Sequence, residues 1–165
     1  MKGKSPTIPR RGKKSWREKL ATANDLPKVV ELDATRAARF GGRTLAIPAP
    51  LDVDALMRRV PRGQIVTINE LRQAVARQHG AEAACPITTG IFSWLAAHAA
   101  DEAAAAGEKT VTPYWRTLKA KGELNPKYPG GISALTARLK AEGHTVIQKG
   151  KRFFVRDFEP ALAKL

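Results

Sequence analysis

Two consecutive helices have recognisable starts and ends in this sequence, and they limit the possible folds more than any other segment. Thr67 and Glu70 are spaced as a capping box, which satisfies the free amides at a helix start, and Gly80 has the residue type that commonly ends a helix. The second helix should begin near Pro86, because the first turn tolerates a missing amide, and continue to about Ala106. The sequence therefore predicts two helices joined by a short connection.

A third helix is predicted just before this pair. Val53, Leu56, Met57 and Val60 recur at helical spacing and should face a core. Three helices in this order are the layout of a helix-turn-helix domain, whose last helix enters a groove of DNA. The connection over residues 80–85 is longer than the usual tight turn, so a generic helical bundle remains an alternative.

A basic hairpin is predicted near the end of the chain. Apolar residues at helical spacing predict one more helix over residues 132–143, and strands over 145–148 and 152–156 should follow it. The hairpin carries three basic side chains that can reach phosphates: Lys149, Lys151 and Arg152. The predicted fold class is therefore mainly α with a small β hairpin, a winged helix-turn-helix domain with a basic N-terminal extension.

The net charge points to a polyanionic partner. The 165 residues carry a formal charge of +14 with a pI near 10.4, and nucleic acid is the commonest large polyanion. Half of this charge lies within residues 2–19, where eight basic residues stand against Glu18 alone. Residues 1–14 have the composition of a disordered arm, and its basic side chains can bind phosphates with release of counterions: Arg10, Arg11, Lys13 and Lys14. A solubility tail that contacts nothing is the alternative.

Several other classes of protein do not fit the sequence. No apolar segment of a secretory signal follows the basic start, and no segment is long and apolar enough to cross a membrane. One cysteine, Cys85, excludes an intramolecular disulfide and a cysteine-rich zinc site. We expect a monomeric protein of the cytoplasm, associated with the nucleoid, that binds double-stranded DNA and uses no metal or cofactor.

Residues 15–50 are predicted to form an extension in front of the main domain, which covers residues 51–165. Ser15 and Glu18 form a capping box for a short helix. Two short strands are expected to follow, over residues 29–32 and 44–47.

Short motifs between residues 56 and 143 are similar, in order and spacing, to those of one DNA-repair family. They read Val60-Pro61-Arg62-Gly63-Gln64-Ile65-Val66-Thr67, Pro113-Tyr114-Trp115-Arg116-Thr117, Gly122-Glu123-Leu124, Tyr128-Pro129-Gly130-Gly131-Ile132 and Ala141-Glu142-Gly143. Over a little more than half of its length, the chain resembles the DNA-binding domain of the O6-alkylguanine-DNA alkyltransferases. The resemblance implies a winged-helix domain of the alkyltransferase type.

The reactive residues of that family are absent from this chain. Tyr114 and Trp115 stand where the family carries its reactive cysteine and histidine, and Thr136 aligns with the glutamate that orients the histidine. Dealkylation needs a thiolate, whereas a phenol is mostly protonated at neutral pH and an indole cannot act as a base. The resemblance therefore implies a non-enzymatic protein similar to the alkyltransferase-like branch, which binds O6-alkylguanine and marks it for nucleotide excision repair proteins.

The resemblance also implies which residues contact DNA. A base pocket is expected at Tyr114, Trp115, Arg116 and Tyr128, because a displaced base can stack on an aromatic ring. Arg116 is expected either to hold a phosphate or to tie down its loop. Contacts with phosphates or base edges are expected at the starts of the two helices: Thr67, Asn69, Thr88, Thr89, Gly90 and Ser93.

Two family features that drive base flipping are missing, and other functions stay open. Ile68 replaces a tyrosine that crowds the target phosphate, and residues 87–90 contain no arginine to fill the space that a base leaves. Tyr114 and Trp115 can also be core aromatics, in a transcriptional or architectural winged-helix protein with a relict pocket. A glycosylase or nuclease is a further hypothesis, which no carboxylate cluster supports.

Overall fold

The computed structural model describes residues 12–165; residues 1–11, which include Arg10, Arg11 and most of the predicted arm, lie outside the described residues. Within 12–165 the α-helices are α1 (Trp16–Leu20), α2 (Ala34–Phe40), α3 (Pro50–Arg58), α4 (Ile68–Gln78), α5 (Pro86–Ala105) and α6 (Gly131–Ala141). The strands are β1 (Lys28–Glu31), β2 (Thr44–Ile47), β3 (Val66–Thr67), β4 (Ala83–Ala84), β5 (Thr117–Leu118), β6 (Val146–Lys149) and β7 (Arg152–Val155). The described residues also contain three 3-10 turns: Tyr114–Arg116, Ala120–Gly122 and Glu159–Ala161.

Helices α3, α4 and α5 form the predicted three-helix core. The apolar residues at helical spacing in α3 and α4 are buried, as expected: Val53, Leu56, Met57, Leu71, Ala74 and Val75. The capping box of α4 is present, since the Thr67 amide donates a hydrogen bond to Glu70 Oε2 at 2.8 Å. Gly80 ends this helix with φ of 64°, a conformation that glycine adopts at little cost.

Strands β6 and β7 form the predicted hairpin. Their antiparallel register pairs Lys149 with Arg152 across the turn. An isolated bridge between Glu123 and Phe154 joins the hairpin to the segment after β5. The predicted fold class, mainly α with a small β hairpin of the winged-helix type, is confirmed.

Two very short parallel strands hold the Tyr114 segment beside the start of α4. β3 runs directly into α4, and β5 directly follows the 3-10 turn Tyr114–Arg116. The two strands pair with Val66 opposite Thr117. Strands of two residues have no apolar alternation, so sequence patterns do not predict this pairing.

The extension packs against the same core. Its strand β2 pairs antiparallel with β1 and parallel with β4, which leads into α5. Its helix α1 lies against α5 and begins with the predicted capping box of Ser15 and Glu18. The predicted strands over 29–32 and 44–47 are observed as β1 and β2, the first shifted by one residue. The connection between α4 and α5 is long because it contains β4, a strand of this sheet.

Sequence patterns do not predict α2. Asp33 caps the helix by accepting a hydrogen bond from the Arg36 amide at 2.9 Å, and Gly41 ends it. None of its seven residues is buried. The helix therefore lacks the apolar periodicity that predicts a helix from sequence.

None of the helices within residues 12–165 combines the length and the apolar character that a membrane crossing needs. The same part of the chain brings no three His, Cys, Asp or Glu side chains together as a metal site.

Candidate nucleic-acid interface

Tyr114 and Tyr128, two residues of the predicted base pocket, lie inside the protein. Each is only 4% exposed. The Tyr114 ring meets the edges or faces of Tyr128 and Trp115 in T-shaped contacts, with ring centroids 6.0 and 5.4 Å apart. Burial raises the pKa of the Tyr114 phenol above its ordinary value and raises the pKa of Tyr128 to about 12. Both phenols are therefore neutral at physiological pH.

Trp115 and Arg116 bind one carboxylate, Glu142, and we call these three residues the Glu142 clamp. Trp115 Nε1 donates a hydrogen bond to Glu142 Oε1 at 2.9 Å. Arg116 donates from Nε to Oε2 at 2.9 Å and from Nη2 to Oε1 at 2.8 Å, which is the bidentate geometry of a strong charge-assisted pair. Arg116 Nη1 also donates to the Val60 carbonyl at 2.8 Å. The clamp thus ties the 3-10 turn to the end of α6 and to the chain after α3.

The clamp keeps Glu142 ionised although its side chain is only 4% exposed. Burial by itself raises the pKa of this carboxyl group. Hydrogen bonds from Arg116, Trp115 and the Gly63 amide outweigh burial and hold the pKa of Glu142 below its ordinary value. The Glu142 carboxylate is therefore a buried anion whose hydrogen-bond donors, Arg116, Trp115 and the Gly63 amide, all belong to the protein.

The structure decides between the two roles expected for Arg116. Its guanidinium group is bound to Glu142 and Val60, so it ties down the loop and is not directed to a phosphate. Trp115 is covered on one face by the Arg138 guanidinium group, 4.2 Å from the ring centroid. Tyr114 and Tyr128 pack against each other, while Trp115 and Arg116, both partly exposed, are held by Glu142. A base pocket formed by these four side chains stays a prediction.

Three of the hydroxyl residues expected to contact DNA are buried instead. Thr89 Oγ1 donates to the Cys85 carbonyl at 2.7 Å, and Ser93 Oγ donates to the Gly90 carbonyl at 2.9 Å, bonds that helical Ser and Thr commonly form. Thr67 is buried as the cap of α4. The hydroxyl groups of these three residues have partners within the protein, and their contact with DNA stays a prediction.

Other predicted contact residues do reach the surface or a cavity. Asn69 is exposed in the first turn of α4, and Gly90 lines a cavity beside α5. Thr88 Oγ1 is buried and has no hydrogen-bond partner within residues 12–165. Lys13 and Lys14 are exposed in front of α1. The three basic residues of the hairpin are also exposed: Lys149, Lys151 and Arg152. Contact of these residues with DNA stays a prediction.

An open cavity of about 690 Å³ lies between α5 and the loop that precedes Tyr128. Its lining comes from two elements, α5 with Ile87, Gly90, Ile91, Trp94 and His98, and the loop with Asn125 and Lys127. Six of these seven residues, all except Gly90, were not predicted as site residues. The signal for four of them is the spacing of residues 87, 91, 94 and 98, which places them on one face of a helix.

Helix α1 covers part of this face of α5 with an aromatic cluster. The Trp16 ring packs edge-on against Trp94 with centroids 4.9 Å apart and stacks on His98 at 4.6 Å. Lys19 Nζ lies 4.2 Å from the Trp16 ring centroid, in a cation–π contact. The basic segment that precedes α1 is therefore joined to the fold beside α5, close to the cavity.

Comparisons with known proteins find similarity in three-dimensional structure only. No family model matches the chain, and no curated protein matches its sequence. Two solved structures match, one of S. pombe Atl1 in complex with damaged DNA containing O6-carboxymethylguanine and one of S. pombe ATL in complex with DNA. Each has a TM-score of 0.50 and 18% identity, and the match covers 70% of this chain and 94% of that chain.

The chain has the fold of Atl1. The alkyltransferase type of fold that the motifs predicted is thereby confirmed. Because the match spans nearly all of the Atl1 chain but less than three quarters of this one, this chain carries additional segments around the shared fold.

Proposed function

We propose that this protein binds duplex DNA without catalysis and recognises alkylated or otherwise modified bases. The observation that carries the proposal is the open cavity beside α5, in a fold shared with Atl1, whose structure holds DNA with O6-carboxymethylguanine. A volume of about 690 Å³ is within the usual range for small-molecule pockets and is ample for one nucleobase. A base displaced from the duplex can pack there against the part of the Trp94 ring that borders the cavity, beside the contacts of this ring with Trp16 and His98.

The environment of Tyr114 supports the absence of alkyl transfer. Its phenol is buried and neutral, since its pKa is raised, and a neutral phenol is a poor nucleophile. The neighbouring Trp115 has no basic atom, and its Nε1–H is already bound to Glu142. Thr136, at the third position of the family's relay, has no acidic group. The segment therefore contains neither a nucleophile nor a base that could activate one.

The charge distribution along α5 supports binding at its amino end. Lys127 lies across the cavity from the first turns of α5, and the helix dipole adds a partial positive charge there. The acidic residues lie at the other end, where α1 partly neutralises them: the Arg17 amide donates to Glu102 at 2.8 Å and the Arg17 guanidinium group pairs with Glu108 at 2.6 Å. DNA affinity should accordingly be mostly electrostatic and sensitive to salt.

The proposal includes a place in repair. The protein would act as a monomer on chromosomal DNA, hold the modified base and leave its removal to nucleotide excision repair proteins. The support is the resemblance of the motifs to the alkyltransferase-like branch together with the fold shared with Atl1.

The test compares two duplexes of the same sequence, one with O6-methylguanine at a single position and one with guanine. Fluorescence anisotropy should show roughly tenfold tighter binding to the modified duplex, a difference of about 1.4 kcal/mol. Mass spectrometry of the same samples should show no methyl group on the protein. Equal affinity for the two duplexes would exclude recognition of this lesion and favour the architectural hypothesis.

A further inference from the structure

One face of α5 carries a stripe of apolar and aromatic side chains that is covered over only half of its length. Ile87, Ile91, Trp94 and His98 follow each other at intervals of four, three and four residues, so they lie on the same side of the helix. Trp16 covers Trp94 and His98. Ile87 and Ile91 remain 64% and 51% exposed. The open half of the stripe is the half at the amino end.

The open isoleucines form a pair, which distinguishes them from scattered surface apolar residues. Single exposed apolar side chains are common and need no explanation. Here two β-branched side chains lie one helical turn apart and border the same cavity of about 690 Å³. Isoleucine is stiff about its first side-chain torsion. Ile87 and Ile91 therefore form a rigid apolar projection beside a cavity that can accept part of a partner molecule.

Basic side chains lie on elements next to this projection. Lys127 lines the same cavity, whose lining contains no acidic residue. Arg72 lies at the base of the helix, where its Nε and Nη2 atoms both donate to the Ala84 carbonyl at 3.2 Å. Lys13 and Lys14 precede α1, the helix that packs against α5 at Trp94 and His98. An apolar projection among cations fits a partner that has phosphates on its outside and apolar base faces inside.

We propose that Ile87 and Ile91 form an apolar wedge that enters between adjacent base pairs of duplex DNA. This inference rests on the proposed function and deepens it, because it names the groups that open the stack. Apolar wedges partly unstack base steps, and burial of the wedge side chains offsets part of the unstacking cost. Residues 86–91 contain no charged side chain, so opening the stack at this helix start depends on apolar contact.

The test uses a duplex that contains 2-aminopurine, whose fluorescence rises when the base leaves the stack. The full-length protein should increase this fluorescence at saturation. The double variant Ile87→Ala/Ile91→Ala should lose most of the increase and bind roughly tenfold more weakly. Ile87→Leu, which keeps an apolar side chain, should retain most of the increase.

Leu51→Ala is the matched control. Leu51 is 50% exposed on α3 and borders a different cavity, formed with Ala99, Ala100 and Ala103 of α5. It should leave both affinity and fluorescence unchanged. Because all three side chains are exposed, the variants should fold, which far-UV circular dichroism checks.

Three results would overturn the wedge. Binding by the full-length protein without a rise in fluorescence would remove the wedge and leave DNA binding intact. A full rise with the double variant would show that other residues open the stack. Absence of binding to any duplex would instead refute the proposed function itself, and the wedge with it.

Discussion

Arg116 and Glu142 form a bidentate ion pair, with Nε–Oε2 at 2.9 Å and Nη2–Oε1 at 2.8 Å, inside the protein. Their side chains are 13% and 4% exposed. The pair connects the segment that resembles a reactive site to the end of α6. In this chain, arginine and the neighbouring indole have the structural role of fixing the loop that carries Tyr114.

Arg116→Ala should destabilise the protein by about 3–5 kcal/mol, because it leaves a buried carboxylate without its main partner. Urea unfolding monitored by tryptophan fluorescence measures the change. Arg138→Ala is the control: Arg138 is exposed and contacts the same Trp115 ring, so its loss should cost about 1 kcal/mol or less. Equal losses for the two variants would contradict the role given to the ion pair.

The Glu142 clamp should also make stability depend on pH. The pKa of Glu142 is lower in the folded protein than its ordinary value of 4.5, so the unfolded chain binds the proton more tightly. The resulting stabilisation is fully present above about pH 4.5 and is lost as pH falls through the folded pKa. Glu142→Gln should be less stable at pH 7, and the gap between it and the parent protein should narrow below pH 4.5.

His144 lies two residues from Glu142, and its protonation also makes stability depend on pH. Burial lowers the pKa of His144, against the opposing effect of the Glu142 charge. The contribution of the neutral His144 ring to folding stability is therefore present above pH 6.5 and is lost as pH falls from 6.5 through the folded pKa. A comparison made in the His144→Gln background separates the two groups. If the free energy of unfolding of Glu142→Gln stays below that of the parent protein by the same amount from pH 7 to pH 3, the Glu142 clamp does not cause the loss of stability in acid.

The sequence predicted those parts of the fold that depend on neighbouring residues. The capping boxes at Ser15 and Thr67 and the glycine at 80 each act within one helical turn, and all three are present in the structure. The Glu142 clamp joins residues 26 positions apart, and no local pattern indicates it. For the same reason no local pattern indicates that the side chains of Thr89 and Ser93 are buried.

The wedge and its cavity show a second limit of sequence reasoning. The spacing of Ile87, Ile91, Trp94 and His98 is visible in the sequence, but a stripe of this kind usually faces a core. Its exposure depends on which element packs against it. Here α1 covers only Trp94 and His98. How far α1 extends along α5 depends on the packing of the whole fold, which local sequence patterns do not show.

Deletion of residues 1–14 should weaken binding to plain duplex DNA and flatten its dependence on salt. The deletion removes six basic residues: Lys2, Lys4, Arg10, Arg11, Lys13 and Lys14. Each phosphate contact that is lost should reduce the slope of log K against log salt by about 0.9. Anisotropy titrations across a range of salt concentrations measure the slope.

A full-length control with the order of residues 2–14 scrambled keeps the charge of the arm. It should bind as the parent protein does, because counterion release does not depend on the order of the residues. An unchanged slope after deletion would show that the arm does not contact DNA and would support its interpretation as a solubility tail.

Tyr114→Cys should not produce a methyltransferase. The new thiol would lie in a buried position, and burial in apolar surroundings raises a thiol pKa and suppresses the thiolate. Trp115 cannot take its proton, and the nearby carboxylate of Glu142 is held by Arg116. The variant is made in a Cys85→Ser background, so that any methyl group found must be on the introduced cysteine. After incubation with an O6-methylguanine duplex, intact-mass spectrometry should show the unmodified mass. A gain of one methyl group would mean that the surroundings of residue 114 activate a thiol without the histidine and glutamate of the family.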